Sequence, residues 1–343
     1  MESSLKILIS SHNFYPMVGG IETVTEIIAG QFMNWGHEVK VITQTPGEDA
    51  RQFPYPVLRQ PSSIQIFEAV RWCDVFLHNN ISLQTAWPLL IVRRPWIIAH
   101  HVWIHRPSGQ RSWQDKLKRM VLRFATNLTI SRSISEALPV ESQVIGDPYR
   151  DDLFRQIPGV KRDRELIYLG RLVSDKGVDV LLQAMIRFRE NGERWRLTVV
   201  GDGEERERLE NLCSEHQLEE WVSFIGTKRG EELVELLNQH QILVIPSRWE
   251  EPFGIVALEG IACGGLVIGS AKGGLKDAIG SCGLTFSNGN VDELAAGISR
   301  LMHDPELAAA CRSEAPRHLA NFTREAVAQR YLNILIQRSR KSA

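Results

Sequence analysis

The chain has 343 residues, 43% hydrophobic and 24% charged, with a formal net charge of −1. That length exceeds what one hydrophobic core usually covers, so two domains are expected, and the composition excludes wholesale disorder. The near-neutral balance excludes a global field aimed at nucleic acid or membrane, and five scattered cysteines with no CxxC pair fit a reducing compartment better than a disulfide framework.

Read in chain order, "MESSLKILISSH" has too short an apolar stretch for a signal peptide and alternates like a strand. No segment approaches the ~18 uncharged apolar residues of a membrane span, so a cytoplasmic protein is expected, with peripheral contact at the inner membrane face left open. Strands are predicted at 6–10, 38–43, 74–78, 96–100, 127–131 and 142–146, with amphipathic stretches at 21–35 and 112–124. The polar, Pro- and Gly-containing residues 147–164 form a seam. Beyond it, strands at 166–170, 197–201, 222–226, 242–246, 266–270 and 283–286 alternate with helices at 177–190, 204–217, 230–240 and 254–263. Such alternation of short apolar runs with helices implies parallel sheets covered on both faces. The expected class is α/β, with two doubly wound, Rossmann-like domains at 1–150 and 151–323. A helix in the tail, 324–343, is expected to pack back on the first.

In sheets of this kind, ligands bind beyond the carboxyl ends of the strands. In the second half such places hold Arg171, Asp202, Thr227, Ser247–Glu251 and Lys272–Gly274. In "YLGRLVSDKGVDVLL", Arg171 and Lys176 follow a strand and precede a helix start, a combination suited to an anion. Ordinary surface charge near a turn is the other reading. In "SRWEEPFGIVALEGIACGGLVI", Glu251 precedes the turn Pro252–Gly254, and Glu259 stands among Ile255, Val256, Ala257, Leu258 and Ile261. A lone carboxylate there is costly unless something satisfies it. Each Glu could accept from two vicinal hydroxyls of a sugar. Support of the helix start by Glu251 and pairing of Glu259 with a structural arginine are the plainer alternatives. In the first half, "WIIAHHVW" puts His100 and His101 at a strand's carboxyl end.

The stretches "GRLVSDKG", "GDGEERERLE", "FIGTKRGEEL" and "PSRWEEPFGIVALEGIACGGLVIGS", with "GGIETVTEIIAGQFMNWGHEVKVIT" near the start, resemble family 4 of the retaining glycosyltransferases. The resemblance implies a GT-B architecture, in which the two domains face across a cleft. It further implies a nucleotide-diphosphate hexose as co-substrate, UDP-linked first and GDP-linked second, with no other cofactor and no metal. Arg171 and Lys176 would hold the diphosphate, Glu251 the transferred sugar, and Glu259 the ribose. The backbone of Phe253, Gly254 and Ile255 would lie nearby, and Thr227 and Lys228 would border the base. Gly20 would close on the diphosphate from the first domain, and His100 would lie near the donor sugar. The family's "GDG" loop accounts for Asp202-Gly203-Glu204 as a turn. Asp147 stands where relatives more often have Asn, and His101 where they commonly have another residue.

The acceptor is expected to be a glycan, a lipid-linked molecule or a small-molecule hydroxyl, not a nucleic acid. Residues 105–125 carry Arg106, Arg111, Lys116, Lys118, Arg119 and Arg123 against one acid, Asp115. Trp113, Leu117, Met120, Val121 and Phe124 fall at helical spacing, so one face is expected in the core and the other basic. A solvated face and contact with a phosphorylated acceptor or anionic bilayer are both open. Trp87 and Trp103 could stack on a sugar or belong to the core. A dehydrogenase would need GxGxxG after the first strand, and neither "VGDGEER" nor "GGIETV" supplies it. The alternative to a metal-independent hexosyltransferase is a catalytically weak nucleotide-sugar-binding subunit acting with a partner.

Overall fold

The computed structural model describes residues 4–17, 19–47, 51–104 and 113–340. The chain forms two compact units, Met1–Pro148 with Arg324–Ala343, and Tyr149–Thr323.

The first unit runs β1 (Lys6–Ser11), α1 (Gly20–Asn34), β2 (Glu38–Thr43), β3 (Val57–Arg59), α2 (Ser63–Trp72), β4 (Val75–Asn79) and α3 (Leu83–Ala86). It continues with β5 (Trp96–His100), α4 (Trp113–Val121), β6 (Thr126–Thr129), α5 (Arg132–Ala137) and β7 (Gln143–Val144). The second runs β8 (Arg164–Leu169), α6 (Val178–Glu190), β9 (Leu197–Val200), α7 (Arg206–Glu215), β10 (Val222–Phe224), α8 (Gly230–Gln239) and β11 (His240–Ile245). After these come α9 (Ile255–Ala262), β12 (Leu266–Ser270), α10 (Leu275–Ile279), β13 (Gly283–Phe286), α11 (Val291–His303) and α12 (Pro305–Leu319). The tail, α13 (Arg324–Arg340), returns to the first unit, where Val327, Tyr331 and Leu335 are buried and the helix packs on α1 and β4.

All strand pairs are parallel, ordered β3-β2-β1-β4-β5-β6-β7 in one unit and β10-β9-β8-β11-β12-β13 in the other. The expected α/β class and doubly wound sheets are therefore present. In each sheet the order reverses once, between β1 and β4 and between β8 and β11. Chains leaving the two central strands on opposite windings part there and leave a crevice at the carboxyl ends. Apolar runs fill the cores: Leu8, Ile42, Val70 and Phe76 in the first unit, Tyr168, Leu181, Phe188, Val244 and Ile268 in the second. All five cysteines are free and buried.

Several elements stand where none was expected, α10 among them. Between residues 43 and 74 lie β3, only three half-buried residues long, and α2, which the Ser62–Gln65 capping box begins. Helices α11 and α12 start at Asn290 and Asp304, each accepting a hydrogen bond from the third residue on. The strand expected over 142–146 shrinks to the two edge residues of β7.

The loops at the second reversal meet closely. Gly177 opens α6 at φ 66°, and a Cβ there would collide with the Pro246 carbonyl oxygen beyond β11. Gly192 has a similar φ of 78° with open space around it. Gly177→Ala is therefore expected to lose at least about 2 kcal/mol of unfolding free energy by urea titration, from backbone strain plus crowding. Gly192→Ala should lose about 1 kcal/mol. Equal losses would show that crowding at Pro246 does not matter.

Candidate functional site

The second unit assembles its charged residues at this reversal. Beyond β8, the buried Tyr168 hydroxyl donates to the Arg171 carbonyl at 2.8 Å, fixing the backbone where the strand ends. Arg171 itself is exposed, and its guanidinium has no ion pair or hydrogen bond among the described residues. A short 3-10 turn, Ser174–Lys176, leads to Gly177 and α6. The Asp175 carbonyl accepts from the backbone N–H of Arg248 at 2.9 Å and of Trp249 at 3.1 Å, which ties the loop after β8 to the loop after β11. Asn288, beyond β13, adds a second tie. Its Nδ2 donates to the Ser247 carbonyl at 3.1 Å, and its Oδ1 accepts from the Lys272 N–H at 2.9 Å.

Lys176 and Glu251 meet across this junction, Nζ to Oε1, at 2.5 Å. The buried Ser247 hydroxyl donates to the same oxygen at 2.6 Å. The second carboxylate oxygen of Glu251 takes no bond among the described residues. Lys176 and Glu251, expected on a phosphate and a sugar respectively, are thus one ion pair with side chains 25% and 12% exposed. A pair so shielded keeps more of its Coulomb attraction than a surface pair. Arg248, at the same junction, is held by Asp179 of α6 at 2.8 Å, whereas the Arg171 guanidinium has no such partner among the described residues.

Pro252 and Gly254 turn the chain into α9, with Gly254 at φ 101°. The Phe253 ring is buried against Phe322, with centroids 5.5 Å apart, so only its backbone remains for a ligand. Ile255 begins the helix, whose first N–H groups lack intrahelical partners. Glu259 follows on the same helix, between the buried Leu258 and Gly260. Its residue is half-buried, and its carboxylate makes no hydrogen bond or ion pair among the described residues. Neither plainer expectation, a structural arginine included, is met. Desolvation pushes its pKa up to about 7.

Thr227 is exposed in the loop after β10, and the Lys228 ammonium is held by Glu232 at 2.5 Å, so these two could offer a ligand mainly backbone. Asp202 receives the Gly203 N–H at 2.8 Å in its own turn. Among the described residues, no three His, Cys, Asp or Glu side chains group as metal ligands would.

In the first unit, Gly20 is the first residue of α1 rather than part of the preceding loop. His100 ends β5 and is buried, with Nε2 3.0 Å from Asn127 Oδ1. The Asn127 amide nitrogen is already donating to the Leu122 and Ala125 carbonyls, so the His100 Nε2–H is the donor. Burial lowers its pKa to about 4, outweighing that bond. His100, expected near the donor sugar, thus has its Nε2 engaged with Asn127. His101 has the open nitrogen instead. Its Nδ1 lies 2.9 Å from Asp147 Oδ1, its backbone N–H donates to Asn80 Oδ1 at 2.7 Å, and its buried Nε2 has no partner among the described residues. The two departures from the family pattern, His101 and Asp147, are thus partners. Trp87 stacks on Phe67 at 6.1 Å, and Trp103 is half-buried.

Sequence reasoning missed Tyr168, the Asp175 carbonyl and Asn288 as the parts that hold the site. Asn288 lies far along the chain in a turn, and Tyr168 reads only as a strand residue.

Residues 150–318, just under half of the chain, match the family model of glycosyl transferases group 1. A glycosyltransferase of Methanocaldococcus jannaschii is 37% identical over 154 residues, 44% of this chain and 39% of that protein. A glycogen synthase of Mycobacterium tuberculosis is 35% identical over 146 residues, 42% of this chain and 35% of the other. The chain thus spans well under half the length of these curated relatives. Among solved structures, HepE of Anabaena in complex with UDP superposes with a TM-score of 0.82 at 21% identity, over 97% of this chain and 100% of that one. Sucrose-phosphate synthase from Thermosynechococcus elongatus gives 0.75 at 21% identity, over 97% and 98%. These likenesses concern the fold, two parallel-sheet α/β units in one chain.

Because the folded state raises the Glu259 pKa from its ordinary value of 4.5 to about 7, it binds more protons than the unfolded chain between those values. Stability from this group is therefore full below pH 4.5 and is lost as pH rises through 7, by up to roughly 3 kcal/mol. Glu259→Gln is expected to melt several degrees above the unmodified protein at pH 8 and alongside it at pH 5, by differential scanning calorimetry. A lower melting point at pH 8 would mean that the carboxylate has a stabilising partner.

Proposed function

We propose that this chain is a retaining, metal-independent hexosyltransferase. It moves a sugar from a nucleotide diphosphate donor to a hydroxyl of a glycan, lipid-linked or small-molecule acceptor. One observation carries the reading: a free cation, a shielded Lys–Glu pair and an unpartnered carboxylate all stand at the sheet reversal of the second unit. A nucleotide sugar is complementary to that set. Its diphosphate suits Arg171 and Lys176, and its ribose hydroxyls would give Glu259 the hydrogen bonds it lacks. As Lys176 turns to the phosphate, Glu251 would gain acceptor capacity for hydroxyls of the transferred sugar. The Phe253–Ile255 backbone would border the phosphates, the stretch at Thr227 and Lys228 the base.

When the anomeric bond breaks, charge builds on the departing diphosphate. A cation aimed at that charge contributes about 2.7–4 kcal/mol to the transition state. Two such cations can serve without a metal ion, so chelator should leave turnover unchanged. Retention of configuration follows from attack on the face the leaving group departs, with no enzymic nucleophile. Neither glutamate is placed as the paired carboxylates of a hydrolase would be. UDP is the first choice of nucleotide and GDP the second. The complexes of Anabaena HepE with UDP and with UDP-glucose support that order.

A melting-temperature panel with UDP, GDP, ADP and NAD tests the donor. At ~100 times its dissociation constant, the ligand adds ~2.7 kcal/mol to the state that binds it, or several degrees. The shift should appear with one nucleotide diphosphate and vanish in Lys176→Ala. A shift with NAD alone would overturn the reading. Donor hydrolysis should fall about a hundredfold or more in Arg171→Ala. Nucleotide binding with no turnover toward any acceptor would assign the chain to the binding-subunit alternative.

A further inference from the structure

The first unit carries an apolar surface that the donor chemistry does not use. A groove of about 860 Å³ opens between the segment Leu83–Trp96 and the segment Leu117–Phe124. Its rim is unusually bare: Leu90 is 88% exposed, Phe124 77% and Met120 55%, and Ile91 beside it is 68% exposed. Helical spacing alone placed Leu117, Met120, Val121 and Phe124 in the core. The structure corrects this for Met120 and Phe124, which are exposed at the groove, whereas Val121 lines the groove while packing partly against the buried Ile81, Ile98 and Leu122; the Trp113 side chain lies outside the described residues. Large apolar side chains from two separate segments, gathered on one face, mark a place where something apolar is received.

The charges around it say what. Arg93 and Arg94 line the groove, and Lys116 and Lys118 border the α4 stripe on its two sides. Arg119 and Arg123 follow. Arg94 is held by the Val70 and Arg71 carbonyls, but Arg93, Lys116, Lys118, Arg119 and Arg123 have no acidic partner among the described residues. The acid of α4, Asp115, is buried. No helix among the described residues is long and apolar enough to cross a membrane. Exposed hydrocarbon rimmed by unneutralised cations is complementary to one kind of surface, hydrocarbon beneath anionic headgroups.

We propose that this face seats in the anionic surface of a lipid bilayer, with Leu90, Ile91, Met120 and Phe124 entering the acyl boundary and the flanking cations lying among the headgroups. The seat includes residues around Leu90 that the basic segment 105–125 does not contain. Added to the transferase reading, it would place the acceptor at a membrane, but its test does not depend on turnover.

Co-sedimentation with vesicles of phosphatidylcholine alone and of phosphatidylcholine with 30% phosphatidylglycerol reads it directly. The full chain should bind the anionic vesicles at least tenfold more tightly, and half-molar salt should remove most of that difference. The double variant Leu90→Ser/Phe124→Ser should weaken binding at least tenfold. Lys116→Ala and Lys118→Ala should each weaken it about fivefold. Both sets change exposed or half-buried side chains, so melting temperature and the UDP-induced shift should stay as in the unmodified protein. That separates failure here from failure of the donor site. No vesicle binding, equal binding to both vesicle types, or variants that bind unchanged would overturn the proposal. So would a concentration-dependent dimer abolished by Leu90→Ser/Phe124→Ser, which would give the face to a second copy of the chain.

Discussion

The candidate site depends on the loop after β8 lying directly against the loop after β11. The Asp175 carbonyl holds Arg248 and Trp249, and Gly177 admits the Pro246 carbonyl at a distance no side chain would permit. Remove that contact and Lys176 loses its approach to Glu251. Parallel sheets make such a contact available only where the strand order reverses, since elsewhere neighbouring loops turn toward the same face. Position in the sheet therefore selects these side chains, and hydrogen bonds to backbone carbonyls fix them.

Glu259 shows the opposite logic. Glu259 is half-buried, and partial desolvation with no protein partner among the described residues disfavours its charged form. Its helix is apolar around it, and no arginine among the described residues pairs with it. A chain that keeps this residue accepts a less stable domain near neutral pH. On the proposed reading, a ligand with vicinal hydroxyls would supply the hydrogen bonds that this carboxylate does not receive among the described residues.

The first unit divides its two adjacent histidines between two tasks. His100 is drawn into the core by Asn127 and is kept neutral by desolvation. His101, one residue further, has left the strand, so its side chain reaches Asp147 in the seam and leaves one ring nitrogen open. Alternation at a strand's end makes that difference, and a one-residue shift in where β5 stops would exchange the two roles.

Much was legible before any coordinates. Short apolar runs separated by amphipathic ones fixed the α/β class and the parallel sheets, because burial on both faces leaves no polar alternation to read. The seam near residue 150 and the return of the tail were visible for the same reason, as was the concentration of Arg171, Lys176, Glu251 and Glu259 at strand ends. Short or weakly apolar elements were not: β3 has three half-buried residues, and α11 and α12 announce themselves only through their caps. Helical spacing reported that Met120 and Phe124 share a stripe, but spacing cannot tell a stripe that meets a core from one that meets nothing. The choice between His100 and His101, the Lys176–Glu251 pairing and the solitude of Glu259 were all decided by tertiary structure. Each depends on what residues dozens of positions away bring, or fail to bring, within hydrogen-bond distance, and local sequence carries no record of that.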